Sequence, residues 1–158
     1  MEALASAFCE HYNQSNPEEW EFAIRRAINS HPNFRKIIRT MLECKGDHSL
    51  VTEKCKMTPG VPCKPMLAKP TKGISIIFKR FENKKFTCEY KYDGLRGQLH
   101  YKNGDVQLFS RNLENMTNIY PDILKLLKEK IDPSKVQSFI ADSEIVAFDT
   151  QHNKILPF

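Results

Sequence analysis

A stretch rich in proline and glycine divides the chain and limits what either side of it can form. Residues 55–73 contain six such breakers: Pro59, Gly60, Pro62, Pro65, Pro70 and Gly73. Proline fixes φ, lacks an amide donor and restricts the residue before it, so a helix or central strand cannot run through this stretch. The prolines favour an extended path along a surface, which predicts a linker between two regions of different structure.

The region before this linker has the periodicity of helices. Asn16 precedes Pro17 and two glutamates, an arrangement typical of a helix start. One helix face then carries Trp20, Ala23, Ile24, Ala27 and Ile28. A second helix is predicted to start near Pro32, and its apolar face carries Phe34, Ile37, Ile38, Met41 and Leu42.

Basic residues Arg35, Lys36 and Arg39 lie opposite the apolar face of this second helix. The formal net charge of the 158-residue chain is +5, which permits a polyanionic partner without demanding one. The basic strip fits either a phosphate-binding surface or an ordinary solvated helix face, and the sequence pattern leaves both interpretations open.

The region after the linker mixes helices with hairpins. Short helices are predicted around Ile74–Phe81 and Tyr120–Ile131, the second of them burying Ile123, Leu124, Leu127 and Ile131. Strands are predicted at Phe86–Lys91 and Arg96–Lys102, at 106–110, and on both sides of Asp142-Ser143-Glu144. Asn103-Gly104 and residues 151–154 indicate tight turns. The fold class predicted from this mixture is α+β.

Cysteine usage and hydropathy exclude several classes of protein. The five cysteines include no C-x-x-C pair, which argues against a disulfide framework and a structural zinc site and favours reduced thiols. The sequence contains no apolar run of about 18 residues and no secretory signal at its start, so we expect an intracellular protein without a membrane span.

The segment from Glu89 to Arg96 carries the residues suited to nucleotide chemistry. The sequence has no glycine-rich phosphate loop of the Walker or dinucleotide type, so a nucleotide must be held differently. A deprotonated Lys91 amine is a nucleophile, Asp93-Gly94 predicts a turn beside it, and the fork of Arg96 suits phosphate. The alternative interpretation is a β-turn flanked by surface charges.

A longer stretch, Cys88–His100, resembles the nucleotidyl-lysine motif of ATP-dependent DNA ligases of the eukaryotic DNA ligase I type. Further resemblance follows in the same order as in that family, at Phe109–Asn112, Asn118–Ile123, Phe139–Asp149 and Ile155–Phe158. Upstream, Thr58–Ala68 is similar to the segment by which ligases of this type enter the adenylation domain. The likeness is nearly continuous from Cys55 and looser over the helices before it.

The resemblance implies a covalent lysyl-AMP mechanism. Lys91 would attack the α-phosphorus of ATP and expel pyrophosphate. Glu89 would contact the adenine edge, and Asp93 would shape the site around the lysine. Arg96 and Arg111 would bind the ribose-phosphate side and the DNA 5′-phosphate that next receives AMP.

The resemblance also implies a divalent metal, for which Mg²⁺ suits crowded phosphate charge. Glu144 would accept a hydrogen bond from a ribose hydroxyl or help to hold the metal, and Asp142 is the second metal candidate. Met66 and Leu67 are candidates for the adenine face, with packing in the core as the alternative.

The domain organisation implied by the resemblance has three parts. Residues 1–54 would be the last helices of a DNA-binding domain, 55–73 the linker, and 74–158 the first part of an adenylation domain. That domain is a nucleotidyltransferase (ATP-grasp-like ligase) domain of antiparallel strands with interspersed helices. Because later family motifs are absent after Phe158, we expect this chain to be an incomplete, weakly active or inactive ligase with uncovered sheet edges.

Two alternatives remain at the level of the sequence. An RNA ligase or mRNA-capping nucleotidyltransferase also uses Lys-x-Asp-Gly, although the ligase-like linker argues against it. A non-catalytic DNA-binding fragment would need only the basic helices. The resemblance itself implies a monomeric, nuclear enzyme that acts on nicked duplex DNA in replication, repair and recombination.

Overall fold

The computed structural model describes residues 1–157 and contains helices together with antiparallel strands, which confirms the predicted α+β class. The helices are α1 (Glu2–His11), α2 (Pro17–Ser30), α3 (Phe34–Glu43), α4 (His48–Lys54), α5 (Ile74–Arg80) and α6 (Pro121–Lys130). The strands are β1 (Leu95–Lys102), β2 (Asp105–Ser110), β3 (Ser138–Ile145), β4 (Phe148–Asp149) and β5 (Lys154–Ile155), and a 3₁₀ turn lies at Thr117–Ile119.

Helices α1 to α4 share one apolar core. Its fully enclosed side chains include Trp20, Ile24, Ile37, Met41 and Val51, all at 0 % exposure. Burying a side chain of this size contributes about 1.5–3 kcal/mol. The apolar face predicted for α2 is buried in full. The face predicted for α3 is buried only at Ile37 and Met41, whereas Phe34, Ile38 and Leu42 are exposed.

Helix α2 starts at Pro17 as predicted, and the second predicted helix is confirmed as α3. Helix α3 begins at Phe34 because the Asn33 side chain caps it, its Oδ1 accepting from the Lys36 amide at 3.0 Å. Helices α1 and α4 were not predicted from the sequence. Helix α4 has only seven residues, and the buried residues of α1, which are Ala5, Phe8 and Cys9, mark one face over little more than a turn.

The larger sheet has the strand order β2-β1-β3. Strands β1 and β2 pair antiparallel, with Gly97 opposite Ser110 and Lys102 opposite Asp105. The two-residue turn between them has positive φ at both Asn103 (50°) and Gly104 (93°), the backbone that a tight hairpin requires and that this residue pair adopts readily. The hairpin predicted here is confirmed.

Two strand predictions are wrong. Phe86–Lys91 is an irregular exposed stretch, and Phe86 instead packs its ring against Phe78 and Phe81, at centroid distances of 6.2 and 5.0 Å. The two strands predicted around residues 142–144 are one strand, β3, that runs through these polar residues. They remain in the strand because Ser143 donates a hydrogen bond to a backbone carbonyl of β1.

Helix α6 lies where it was predicted but buries less than expected. Ile123, Leu124, Leu127 and Ile131 are only half-buried, and the main contacts of α6 with other elements are with β2 and the 3₁₀ turn.

Two compact units make up the chain. The first comprises Met1–Pro65 and Arg96–Ser143, and the second comprises Met66–Leu95 and Glu144–Phe158. In the second unit the rings of Phe78 on α5, Phe81 and Phe86 pack together. Strands β4 and β5 pair antiparallel across the predicted turn at 151–154. The domain boundaries predicted at residues 54 and 73 stay a prediction.

Candidate active site

The segment that carries Lys91 is irregular and exposed. Glu89, Lys91 and Asp93 all have exposed side chains, and the Tyr90 ring lies 6.3 Å from the ring of Tyr92. Within the part of the chain that the structure describes, the Lys91 ammonium makes no hydrogen bond and no ion pair. Its amine is therefore available to an incoming phosphate rather than committed to a structural contact.

Gly94 ends this segment with a close backbone contact inside the second unit. A Cβ at Gly94 would collide with the carbonyl oxygen of Ile145 and would lie 3.0 Å from Cγ1 of Val146. Only glycine lets the backbone approach this closely. The contact holds the turn that follows Lys91 against the end of β3, where Glu144 precedes Ile145 with its carboxylate exposed.

Arg96 and Asp142 form a bidentate ion pair in the first unit. The Arg96 Nε donates to Asp142 Oδ1 at 2.8 Å, and Nη2 donates to Oδ2. Next to this pair, the Ser143 hydroxyl donates to the Gly97 carbonyl at 2.8 Å and ties β3 to β1. A planar guanidinium held along one edge keeps its remaining N–H groups in a fixed direction, which suits phosphate recognition.

Arg111 lies on a turn that follows β2. The Ser110 hydroxyl oxygen accepts from the amides of Asn112 and Glu114, each at 3.1 Å, and Leu113 takes a positive φ of 69°. These bonds fix the backbone around Arg111 while its guanidinium stays exposed and makes no ion pair within residues 1–157.

The structure thus brings some of the predicted site residues together and leaves others apart. Arg96 contacts Asp142, and the turn after Lys91 contacts the strand end beside Glu144. Glu89 and Arg111 stand exposed within their own units. The adenine-face candidates Met66 and Leu67 are 90 % and 63 % exposed, so the alternative of core packing is wrong for the described chain.

A buried polar network on β1 was not predicted from the sequence. Gln98 and His100 are 7 % and 1 % exposed. Both form hydrogen bonds with the backbone of the 55–73 stretch, Gln98 with Cys63 and His100 with Gly60. Burial lowers the pKa of His100 below its ordinary value of 6.5. The sequence did carry a signal for this network. Gln98 and His100 are two positions apart in a predicted strand, so both side chains face the same side of it.

Other features of the described chain lie away from these residues. No group of three or more metal-ligating side chains occurs within residues 1–157. A groove of about 1250 Å³ lies between α2 and α4 and is lined by Phe22, Arg26, Glu53 and Met57 among others, none of them a predicted site residue. No helix in the described chain is long and apolar enough to cross a membrane.

Comparison with known proteins decides the family. The sequence profile described as "ATP dependent DNA ligase domain" matches residues 65–158, more than half of the chain. The chain belongs to the ATP-dependent DNA ligase family. The predicted resemblance is confirmed, and with it the nucleotidyltransferase assignment of the region after the linker.

The relatives of this ligase chain include the DNA ligase 1 proteins of several eukaryotes. The Schizosaccharomyces pombe protein is 43 % identical over 167 residues, which cover 99 % of this chain and 21 % of that protein. The Drosophila melanogaster protein is 47 % identical, covering 80 % of this chain and 17 % of the relative. The Arabidopsis thaliana protein is 52 % identical over 66 % of this chain. The chain therefore spans about a fifth or less of the length of these relatives.

Proposed function

We propose that this chain supplies the nucleotide-accepting lysine of an ATP-dependent DNA ligase that seals nicks in duplex DNA. The observation that carries the proposal is the unengaged Lys91 amine, on an exposed segment that Gly94 fastens to the end of β3, in a chain of the ligase family. The family match also favours this activity over the RNA-ligase and capping alternative.

The first step transfers AMP to the lysine. The neutral Lys91 amine attacks the α-phosphorus of ATP, an N–P bond forms, and the bond to the β-phosphate oxygen breaks as pyrophosphate leaves. The amine loses a proton and a phosphoramidate remains. The attack needs the neutral amine, because a protonated ammonium has no lone pair to form the bond.

The other site residues would position the nucleotide. Arg96, aligned by Asp142, would bind one phosphate group, and the exposed Arg111 would bind a second. Glu89 would contact the adenine edge, and Asp93 would shape the turn beside the lysine. These assignments come from the family resemblance and agree with the exposure of each side chain.

Mg²⁺ is the metal that these residues fit. This ion is commonly bound through one or two carboxylates together with substrate phosphates, and it does not need a cluster of three protein ligands. Glu144 would hold it, with Asp142 as the second candidate, although Asp142 is paired with Arg96 here. Bound there, the ion would neutralise phosphate charge.

Transfer to DNA completes the proposed reaction. AMP would pass from Lys91 to the 5′-phosphate at a nick, and the 3′-hydroxyl would then displace AMP and join the strand. The exposed residues Arg35, Lys36 and Arg39 on α3 support duplex binding through the phosphate backbone. By family likeness we place the enzyme in the nucleus, as a monomer acting in replication, repair and recombination.

Labelling of the lysine tests the proposal. The purified chain is incubated with Mg²⁺ and ATP labelled at the α-phosphate, and label that survives denaturation is measured. Wild type should become labelled, whereas Lys91→Ala should not. The control variant Lys85→Ala removes another exposed lysine of the second unit and should be labelled like wild type. Label that persists in Lys91→Ala, or is absent from wild type, would refute the assignment. GTP in place of ATP should give no label.

A further inference from the structure

Four residues form a buried hydrogen-bonded clasp within the first unit. Gln98 and His100 of β1 face Gly60 and Cys63 of the proline-rich stretch. The Cys63 amide donates to Gln98 Oε1 at 2.9 Å, and Gln98 Nε2 donates to the Cys63 carbonyl at 3.0 Å. The side-chain amide of Gln98 therefore bonds one residue of the stretch twice, much as a neighbouring strand would.

The clasp fixes the tautomer of His100. Its Nδ1 accepts from the Gly60 amide at 2.8 Å, so the ring proton must lie on Nε2, which donates to Gln98 Oε1 at 2.8 Å. The Phe109 ring closes over the imidazole at a centroid distance of 4.8 Å. Each polar atom of the clasp is paired only while His100 is neutral.

The clasp links two parts of the first unit. The Lys64 amide donates to the Asn29 carbonyl near the end of α2 at 2.9 Å, so the clasped stretch is bonded to the helices on one side and to β1 on the other. Arg96 precedes Gln98 by two residues, and strand alternation places both on the same face of β1. The position of β1 relative to the helices therefore determines where Arg96 presents its guanidinium.

We propose that Gln98 and His100 are positioning residues for the adenylation step, because the clasp holds β1, and with it Arg96, in the place that phosphate binding requires. This inference rests on the proposed function, since it assigns these residues no chemistry of their own. Neither side chain contacts the nucleotide, and both act through the strand.

Protonation of His100 would open the clasp. A proton on Nδ1 would face the Gly60 N–H, and two donors would then meet without an acceptor. The charged or titratable groups near His100 are Lys102 on β1, Asp105 on β2 and the Cys63 thiol of the clasped stretch. None of them is hydrogen-bonded to the imidazole, so burial is what lowers the pKa of His100.

The test compares initial rates of Lys91 labelling by α-labelled ATP with Mg²⁺, at saturating ATP. Gln98→Ala removes both hydrogen bonds to the Cys63 backbone. We expect labelling about tenfold slower, in line with the loss of a buried hydrogen-bonding partner. Gln137→Ala changes an exposed glutamine of the same unit and should label like wild type. Fluorescence of the enclosed Trp20 reports whether each variant is folded.

A pH profile separates positioning from a purely structural role. In His100→Asn an amide oxygen replaces Nδ1 as acceptor and cannot titrate. The ratio of the wild-type rate to the His100→Asn rate cancels every pH effect that the two proteins share. We expect this ratio to be constant near pH 8 and to fall as the pH drops below 6.5. This measurement decides the proposal even if Gln98→Ala fails to fold.

The two proposals fail in different ways. A labelled wild type whose rate ratio is flat with pH, with folded Gln98→Ala labelling at the wild-type rate, overturns the positioning role and leaves the proposed function intact. A wild type that takes no label overturns the proposed function and the positioning role together.

Discussion

Gly94 shows how the absence of one side chain can shape the segment that carries Lys91. The sequence predicted only a turn at Asp93-Gly94. The structure assigns Gly94 a steric role, because a Cβ would meet the Ile145 carbonyl oxygen within the same unit. Backbone atoms cannot rotate away from such a collision, so the chain itself must shift.

Gly94→Ala should therefore displace the Lys91 segment. We expect a loss of about 1–3 kcal/mol in the free energy of unfolding, the usual cost of overpacking, and slower Lys91 labelling. Gly104→Ala is the contrast: the added methyl meets nothing within 4 Å but is strained by a φ of 93°, at a cost of about 1–2 kcal/mol. Urea unfolding and labelling are measured on both, and slowed labelling in Gly104→Ala alone would contradict the steric argument.

The ion pair between Arg96 and Asp142 should matter more for labelling than for stability. Both side chains are partly exposed, at 27 % and 51 %, and exposed pairs contribute about 1 kcal/mol or less. Asp142→Asn removes the charge and one of two acceptors, so the guanidinium loses its fixed direction. We expect labelling about tenfold slower with a small change in unfolding free energy. Asp105→Asn on the hairpin is the control, and equal labelling of both variants would refute the role of Asp142.

At the scale of elements, helix starts and hairpin turns could be predicted because their signals are local. Pro17 and the Asn103-Gly104 turn each act on their own backbone. The start of α3 was predicted near Pro32, but its cap at Asn33 was not predicted. The strand expected at Phe86–Lys91 could not be judged locally, since a strand needs a partner and Phe86 packs with aromatic rings instead. The clasp was missed for the same reason, because its partners lie about 35 to 40 residues apart in sequence.

The cap of α3 gives a prediction at this scale. Asn33→Ala removes the acceptor for the Lys36 amide and should cost about 1 kcal/mol of unfolding free energy. The same substitution at Asn29, an exposed position in the last turn of α2, should be neutral or slightly stabilising because alanine has the higher helix propensity. Thermal unfolding of both variants checks this, and an equal loss at the two positions would show that the cap contributes nothing.

For the molecule as a whole, the basic strip on α3 predicts how DNA binding depends on salt. Replacing Arg35, Lys36 and Arg39 with alanine should reduce the slope of log affinity against log salt by up to about 2.7, or about 0.9 for each phosphate that is no longer neutralised. The control removes three exposed lysines of α6, at positions 125, 128 and 130, for the same change in charge. Fluorescence anisotropy with a nicked duplex measures both, and equal slopes would show that only net charge matters.

The pH dependence of stability follows from groups spread over the whole chain. Burial lowers the pKa of His31 and of His100 below the ordinary 6.5, and Lys36 adds to the effect at His31. Between the folded and unfolded pKa values the unfolded chain binds more protons, so stability falls as the pH drops through 6.5. Hydrogen bonds lower the pKa of Asp47, Asp132 and Asp149 below 3.8, and these groups act only in stronger acid.

On the alkaline side, burial raises the pKa of the Cys44 thiol above its ordinary 9.0. The unfolded chain then loses its proton first, and stability should fall again as the pH rises through 9. We therefore expect the urea midpoint to be highest between about pH 7 and 8.5 and to decline on both sides. His100→Asn should flatten the decline between pH 7 and 5 in part, since His31 remains, whereas Cys44→Ala should flatten only the alkaline limb. An acid limb unchanged in His100→Asn would mean that His100 keeps the same proton affinity in the folded and unfolded chain, and the buried clasp would then have no linkage to pH.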